Sequence, residues 1–156
     1  MCEIEKATGI SFNEINWTEC KIHAIAFNDE EFEFLLDIDY LGKWIEMESG
    51  YNYNISIATL VFKNVWDLNL SLEYNVDLFI QEIDRSNPTL PRNSKYVCGM
   101  EYEWEVKTIN GEITFKSTGM ELYIRQTFPL TTKSSLTLKE RSGYSFSKSG
   151  NKLSIY

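Results

Sequence analysis

The residues of this chain best suited to chemistry are few. "FEFLLDIDY", residues 32–40, sets Asp37 and Asp39 in an otherwise apolar run, and the only histidine, His23, stands three residues after Cys20 in "CKIH". Two carboxylates can divide acid/base work, ligate a cation such as calcium, or face a basic partner. Calcium loops, however, set their ligands on irregular backbone around a glycine turn, whereas Asp37 and Asp39 alternate along what reads as a strand. Glycoside hydrolysis needs carboxylates roughly 5 to 9 Å apart, a separation that sequence does not give for residues on different strands. A Cys-x-x-His pair is half of a zinc site and needs two further soft ligands, which Cys98 alone does not supply. Any Ser-His-Asp or Cys-His arrangement must use His23, which falls in the strand-like "KIHAIAF", where a histidine is ordinarily just a face residue. The eight glycines form neither the dinucleotide fingerprint nor the phosphate loop. The reading is therefore non-enzymatic, with no cofactor and no metal, and with three free thiols.

The elements that position these residues are mainly β. Period-two alternation recurs at short intervals and strong helical periodicity is scarce, which predicts an antiparallel sandwich or curled sheet with little helix. Along residues 32–40, Phe32, Phe34, Leu36, Ile38 and Tyr40 share one side, leaving Glu33, Leu35, Asp37 and Asp39 on the other. "ISIATLVF" (55–62), "WDLNLSLE" (66–73) and "LFIQEI" (78–83) read as further strands, with Trp66, Leu68, Leu70 and Leu72 inward. "SNPTLPRNS" (86–94) reads as a loop. Asn110-Gly111 suits a two-residue type I′ hairpin turn, and pairing Ile109 with Glu112 sets Val106 opposite Phe115 and Glu105 opposite Lys116. "MELYIRQTF" (120–128) continues the sheet until Pro129.

At 156 residues the chain is expected to form one domain, 1–156. Its ordered core is placed at about 15–128, and residues 129–156 read as an edge strand or a partly ordered tail. The N-terminus shows no secretory pattern and no stretch approaches the ~18 to 20 apolar residues that span a bilayer, so a cytoplasmic location is expected.

Charge is distributed unevenly. Residues 1–132 hold 10 basic and 22 acidic side chains, residues 133–156 hold 5 basic and 1 acidic, and the total is −8. Within 29–48, eight acidic residues, including Glu33, Asp37, Asp39, Glu46 and Glu48, meet only Lys43. Such a body repels nucleic acid and anionic membranes and attracts proteins that themselves bind nucleic acid. Next to this stripe, "LGKWIEMESGYNYN" (41–54) reads as a loop that mixes Trp44, Tyr51 and Tyr53 with Glu46 and Glu48, the combination that interface centres use. The bland alternatives stay open: a solvated acidic face, and Trp44 tucked under the sheet edge.

"INWTECKIHAIAF", "FLLDIDYLGKWI", "ATLVFKNVWDLNL" and "GEITFKSTGMELYIRQ" together resemble a family of small bacterial proteins with no assigned activity, over about residues 15–128. More distantly, the order of a short tryptophan-led opening, a strand and an apolar "VFKNV" strand is similar to immunity proteins of bacterial toxin systems, although Thr18-Glu19 stands where a His-Asp pair is usual. That resemblance implies an acidic surface capping the basic active site of a toxin. The expected function is a non-enzymatic binding protein, with Glu33, Asp37, Asp39, Trp44, Glu46, Glu48, Tyr51 and Tyr53 as its binding residues and a basic protein as its partner. The alternative is a β-sandwich or barrel holding a small ligand, such as a sugar, against Trp44 and Tyr51.

Overall fold

The computed structural model describes residues 9–48, 50–74 and 77–156, apart from the side chains of residues 43–45. Ten strands follow one another: β1 (Gly9–Ile10), β2 (Lys21–Asn28), β3 (Glu33–Met47), β4 (Gly50–Lys63), β5 (Trp66–Leu72), β6 (Leu78–Thr89), β7 (Glu101–Thr108), β8 (Gly111–Ser117), β9 (Gly119–Thr127) and β10 (Asn151–Ile155). A three-residue 3₁₀ turn (Phe12–Glu14) and one α-helix, α1 (Leu138–Arg141), complete the list among the described residues. The mainly β expectation holds, and helix is marginal.

The sheet order is β1-β10-β9-β4-β3-β2-β6-β7-β8-β5. Every neighbouring pair is antiparallel except β1 with β10. The β2–β6 junction consists of two pairs, Lys21 with Phe79 and Ile22 with Leu78, so the sheet bends there into two layers and does not close into a barrel. Between the layers Phe34 and Phe62 from one meet Trp104 and Phe115 from the other, with ring centroids 4.6–5.5 Å apart for the pairs that touch. Leu36, Ile38, Leu60, Leu122, Val106 and Ile113 are fully buried beside them, and burying each such side chain contributes about 1.5–3 kcal/mol. The alternation read for residues 34–38 is thus correct for the core-facing side.

Several local expectations are corrected. Residues 41–54 are not a loop: β3 and β4 stay paired from Phe34–Phe62 out to Met47–Gly50. β6 runs on to Thr89, into the segment expected to be a loop. In the β7–β8 hairpin Thr108 pairs with Gly111, Val106 with Ile113 and Glu103 with Lys116, two residues away from the expected register, so both faces are preserved but every partner changes. The cause is Gly111. Its φ is +136° and a Cβ there would sit 1.9 Å from the Ser71 carbonyl oxygen, so the glycine serves the close approach of β5, while neither Ile109 nor Asn110 takes the positive φ of a type I′ turn. On β5, Leu70 is 47% exposed and not inward, because the ladder to β8 is irregular between Trp66 and Asn69 and Asp67 has φ +53°.

Candidate functional site

Asp37 and Asp39 do lie on one face of β3, opposite Phe34, Leu36 and Ile38, but that face is covered. Both aspartates are completely buried and Glu33 is nearly so. The cover is the segment between β9 and β10, and its route is fixed by a series of contacts. Phe128 N–H donates to Ile55 O (2.8 Å) and Thr131 exchanges backbone hydrogen bonds with Tyr53 (2.6 and 3.0 Å). Leu136 N–H donates to Asp39 Oδ2 (2.8 Å) and Ser145 N–H to Asp37 Oδ2 (2.9 Å). Thr59 Oγ1 donates to Ser147 O (2.8 Å), and Lys148 reaches Glu33 and Glu31. The chain then turns at Gly150 and pairs as β10 with β9. The tail that composition marked as basic is a strap across the acidic side of the sheet.

Arg141 is the centre of that strap. It ends α1, a single turn with Thr137 as N-cap, a capping box closed by Glu140, and Ser142 in the left-handed region. Its guanidinium donates from Nη1 to Asp39 Oδ1 and to the Ile38 carbonyl, and from Nη2 to Asp37 Oδ1. Arg125, from β9, also donates to Asp37 Oδ1. His23 Nε2 lies 2.7 Å from Asp39 Oδ2; an ionised carboxylate only accepts, so Nε2 carries the proton. All four carboxylate oxygens therefore have partners, and two guanidinium charges balance two carboxylates. That balance is what permits ions in a dry interior. Burial draws the Arg125 pKa below its ordinary value, against the opposing pull of Asp37.

Chemically this cluster is closed. Its lone pairs are spent on arginines, amides and a histidine, and among the described residues no group of three or more His, Cys, Asp or Glu side chains is arranged to hold a metal ion. Cys20 is fully buried, and burial pushes its thiol up to about 12, so it offers no thiolate nucleophile. The expectation of free thiols holds for Cys20 and is corrected for Cys98, which is disulfide-bonded.

The expected partner-facing stripe of Glu33, Asp37 and Asp39 is thus corrected: the fold uses it internally. The other predicted residues stand elsewhere on the same hairpin. β2 pairs with β3 only over residues 33–39, and β9 with β4 only over 56–63, so beyond Leu41 and Ile55 the two strands pair with each other and project past the sheet as a two-stranded arm. One bridge, Tyr53 to Thr131, ties its base to the strap. Glu46, Glu48 and Tyr51 are exposed on this arm, as is Met47. Tyr53 is buried at its base. Trp44 pairs with Tyr53 in the ladder, and its side chain lies outside the described residues. Among the described residues Glu46 and Glu48 enter no ion pair, in contrast to Glu33, Asp37, Asp39 and Glu121.

Arg141, Arg125 and the strap are what sequence reasoning did not single out. The signal available was the charge asymmetry, which announced an attraction between tail and body but not which of five bases goes inside. No family model matches the sequence, no curated protein matches it, and no solved structure matches the fold.

Proposed function

We propose that the protein is a non-enzymatic binding module, most concretely an immunity-type inhibitor, that meets a basic protein through the β3–β4 arm. The observation that supports this reading is the arm itself, whose Glu46 and Glu48 enter no ion pair among the described residues, in a fold that pairs Glu33, Asp37, Asp39 and Glu121 with bases. An isolated two-stranded ribbon is marginal by itself, and a ribbon that displays Glu46, Glu48, Met47 and Tyr51 to solvent has the composition of a docking element. Charge of this kind accelerates encounter with an oppositely charged surface and fixes register on it. No helix of the described residues is long and apolar enough to cross a membrane. The disulfide at Cys98 is the observation that pulls against a cytoplasmic setting, where thiols are kept reduced.

Affinity capture of the tagged protein from bacterial lysate, eluted with rising salt, tests the reading. A basic protein is expected to elute at raised salt, and Glu46→Lys with Glu48→Lys is expected to abolish its retention. Equal retention by that variant would remove the arm from the interface. In the rival reading, a small ligand packs on Trp44 and Tyr51; Tyr51 is 47% exposed on a projecting ribbon, a geometry that favours contact with a large partner over enclosure of a small one.

A further inference from the structure

At the opposite end of β3, β2 has an edge that no strand of the described residues occupies beyond Ile22. β2 is paired with β3 along its whole length, but its ladder with β6 covers only Lys21 and Ile22. From Ala24 to Asn28 no strand of the described residues hydrogen-bonds to its other side. The sequence there, "AIAF", half-buried up to Phe27, is apolar and lacks the prolines or charges that usually guard a sheet edge. Phe27 is 55% exposed.

β5 runs beside this edge without pairing to it. At one end Val65 N–H donates to Phe32 O (2.7 Å) and Trp66 stacks on Phe32. At the other, Leu72, Glu73 and Tyr74 face Ile22 and Ile25 across a cleft of about 320 Å³ that His23 and Leu78 also line. β5 is itself the last strand of the sheet order, so two unpaired edges flank one apolar seam. Its rim is acidic. Asp29 and Glu30 are exposed at the end of β2 and Glu73 at the cleft, Glu31 beside them is held by Lys148, and the nearest lysine on β2, Lys21, is engaged by Asp77.

We propose that the β2 edge, with the cleft beside it, accepts an extended segment of another protein as an added strand, apolar at alternate positions and carrying Lys or Arg between them. The free ladder of β2 supplies backbone hydrogen bonds, Ile22, Ile25, Leu72 and Tyr74 receive the apolar side chains, and the carboxylates at the rim select basic ones; this is strand addition. A second copy is the poorer occupant, because it brings another net charge of −8 against the same rim. The proposal is independent of the arm.

Hydrogen exchange on the full chain tests it, with a ten-residue peptide of alternating Val and Lys as probe and the Val/Glu peptide as control. The Val/Lys peptide is expected to slow exchange of amides between 24 and 28 by at least tenfold, and Tyr74→Ala with Phe27→Asp, both exposed changes, to weaken its binding about tenfold. No protection at 24–28, equal binding of the Val/Glu peptide, or protection that grows with protein concentration without peptide would each overturn it. The Glu46→Lys, Glu48→Lys variant is expected to bind the peptide normally, which separates this surface from the arm.

Discussion

The two halves of the β3–β4 hairpin carry the same acidic residues to opposite ends. In the inner half Asp37, Asp39 and Glu33 are sealed under the strap against Arg141, Arg125 and Lys148. In the outer half Glu46 and Glu48 stand in solvent. Composition and strand periodicity do not distinguish them. The difference lies in what else reaches each half: the strap crosses one and, after its contact at Tyr53, leaves the other behind. Formal charge in a sequence is therefore a poor guide to charge at a surface, and a strand with carboxylates on alternate positions can be buried on both sides.

The sharpest way to break this comparison is to remove the inner counter-charge. Arg141→Ala leaves Asp39 without a guanidinium and Asp37 with Arg125 alone, and is expected to cost about 3–5 kcal/mol, lowering Tm by roughly 6–20 °C at about 2–4 °C per kcal/mol. Combining Arg141→Met and Arg125→Met with Asp37→Leu and Asp39→Leu is expected to restore most of that loss, since apolar replacement of a whole buried ionic cluster, Arg125 included, is tolerated better than its fragments. A denaturant titration showing less than about 1 kcal/mol for Arg141→Ala would mean that water enters beneath the strap.

Cys20 reports on the same interior. With its thiol at about 12, alkylation by iodoacetamide at pH 8 is expected to be slowed about a thousandfold relative to an exposed cysteine, from thiolate fraction alone. Fast labelling of the native protein would show that this end of the sheet opens.

Glu121 lies between the two extremes. Burial by itself would raise its pKa, but Lys63, the Tyr123 hydroxyl and Lys152 outweigh burial and hold it below the usual value. A carboxyl depressed in the folded state stabilises above its unfolded pKa of about 4.3 and loses that contribution as pH falls through the folded value. Glu121→Gln is accordingly expected to be less stable than the parent at pH 7, with the gap narrowing toward pH 3 in urea titrations. A gap independent of pH would assign the effect to packing.

The smallest expected change in stability is at the arm. Glu46→Lys with Glu48→Lys is predicted to stay within about 0.5 kcal/mol of the parent while losing the basic partner. A large drop in Tm would place these carboxylates with the inner half after all.

The core-facing side of the fold was legible because alternation at Phe34, Leu36 and Ile38 is a local signal with a fixed period. The cover on the other side was not, because Arg141 lies 102 residues from Asp39 in a segment rich in Ser, Gly and Lys that carries only short apolar pairs. Long-range ionic pairing leaves no periodic trace; only the overall attraction between a tail and a body of opposite sign shows. The β7–β8 register failed for a different reason, since Asn110-Gly111 has the composition of a turn centre while the glycine is required by a neighbouring strand. For the candidate site, the acidic and aromatic content of residues 41–54 was readable and its projection as a ribbon was not, because projection depends on where β2 and β9 stop.

The strap also imposes an order on the making of the protein. At about 5–20 residues per second, the ribosome delivers Arg141 roughly 5–20 s after Asp39. During that interval the inner carboxylates have no guanidinium from the strap, and the acidic side of the nascent sheet must remain hydrated. Closure of the interior therefore cannot precede the synthesis of one arginine, Arg141, however early the strands that carry Asp37 and Asp39 are made.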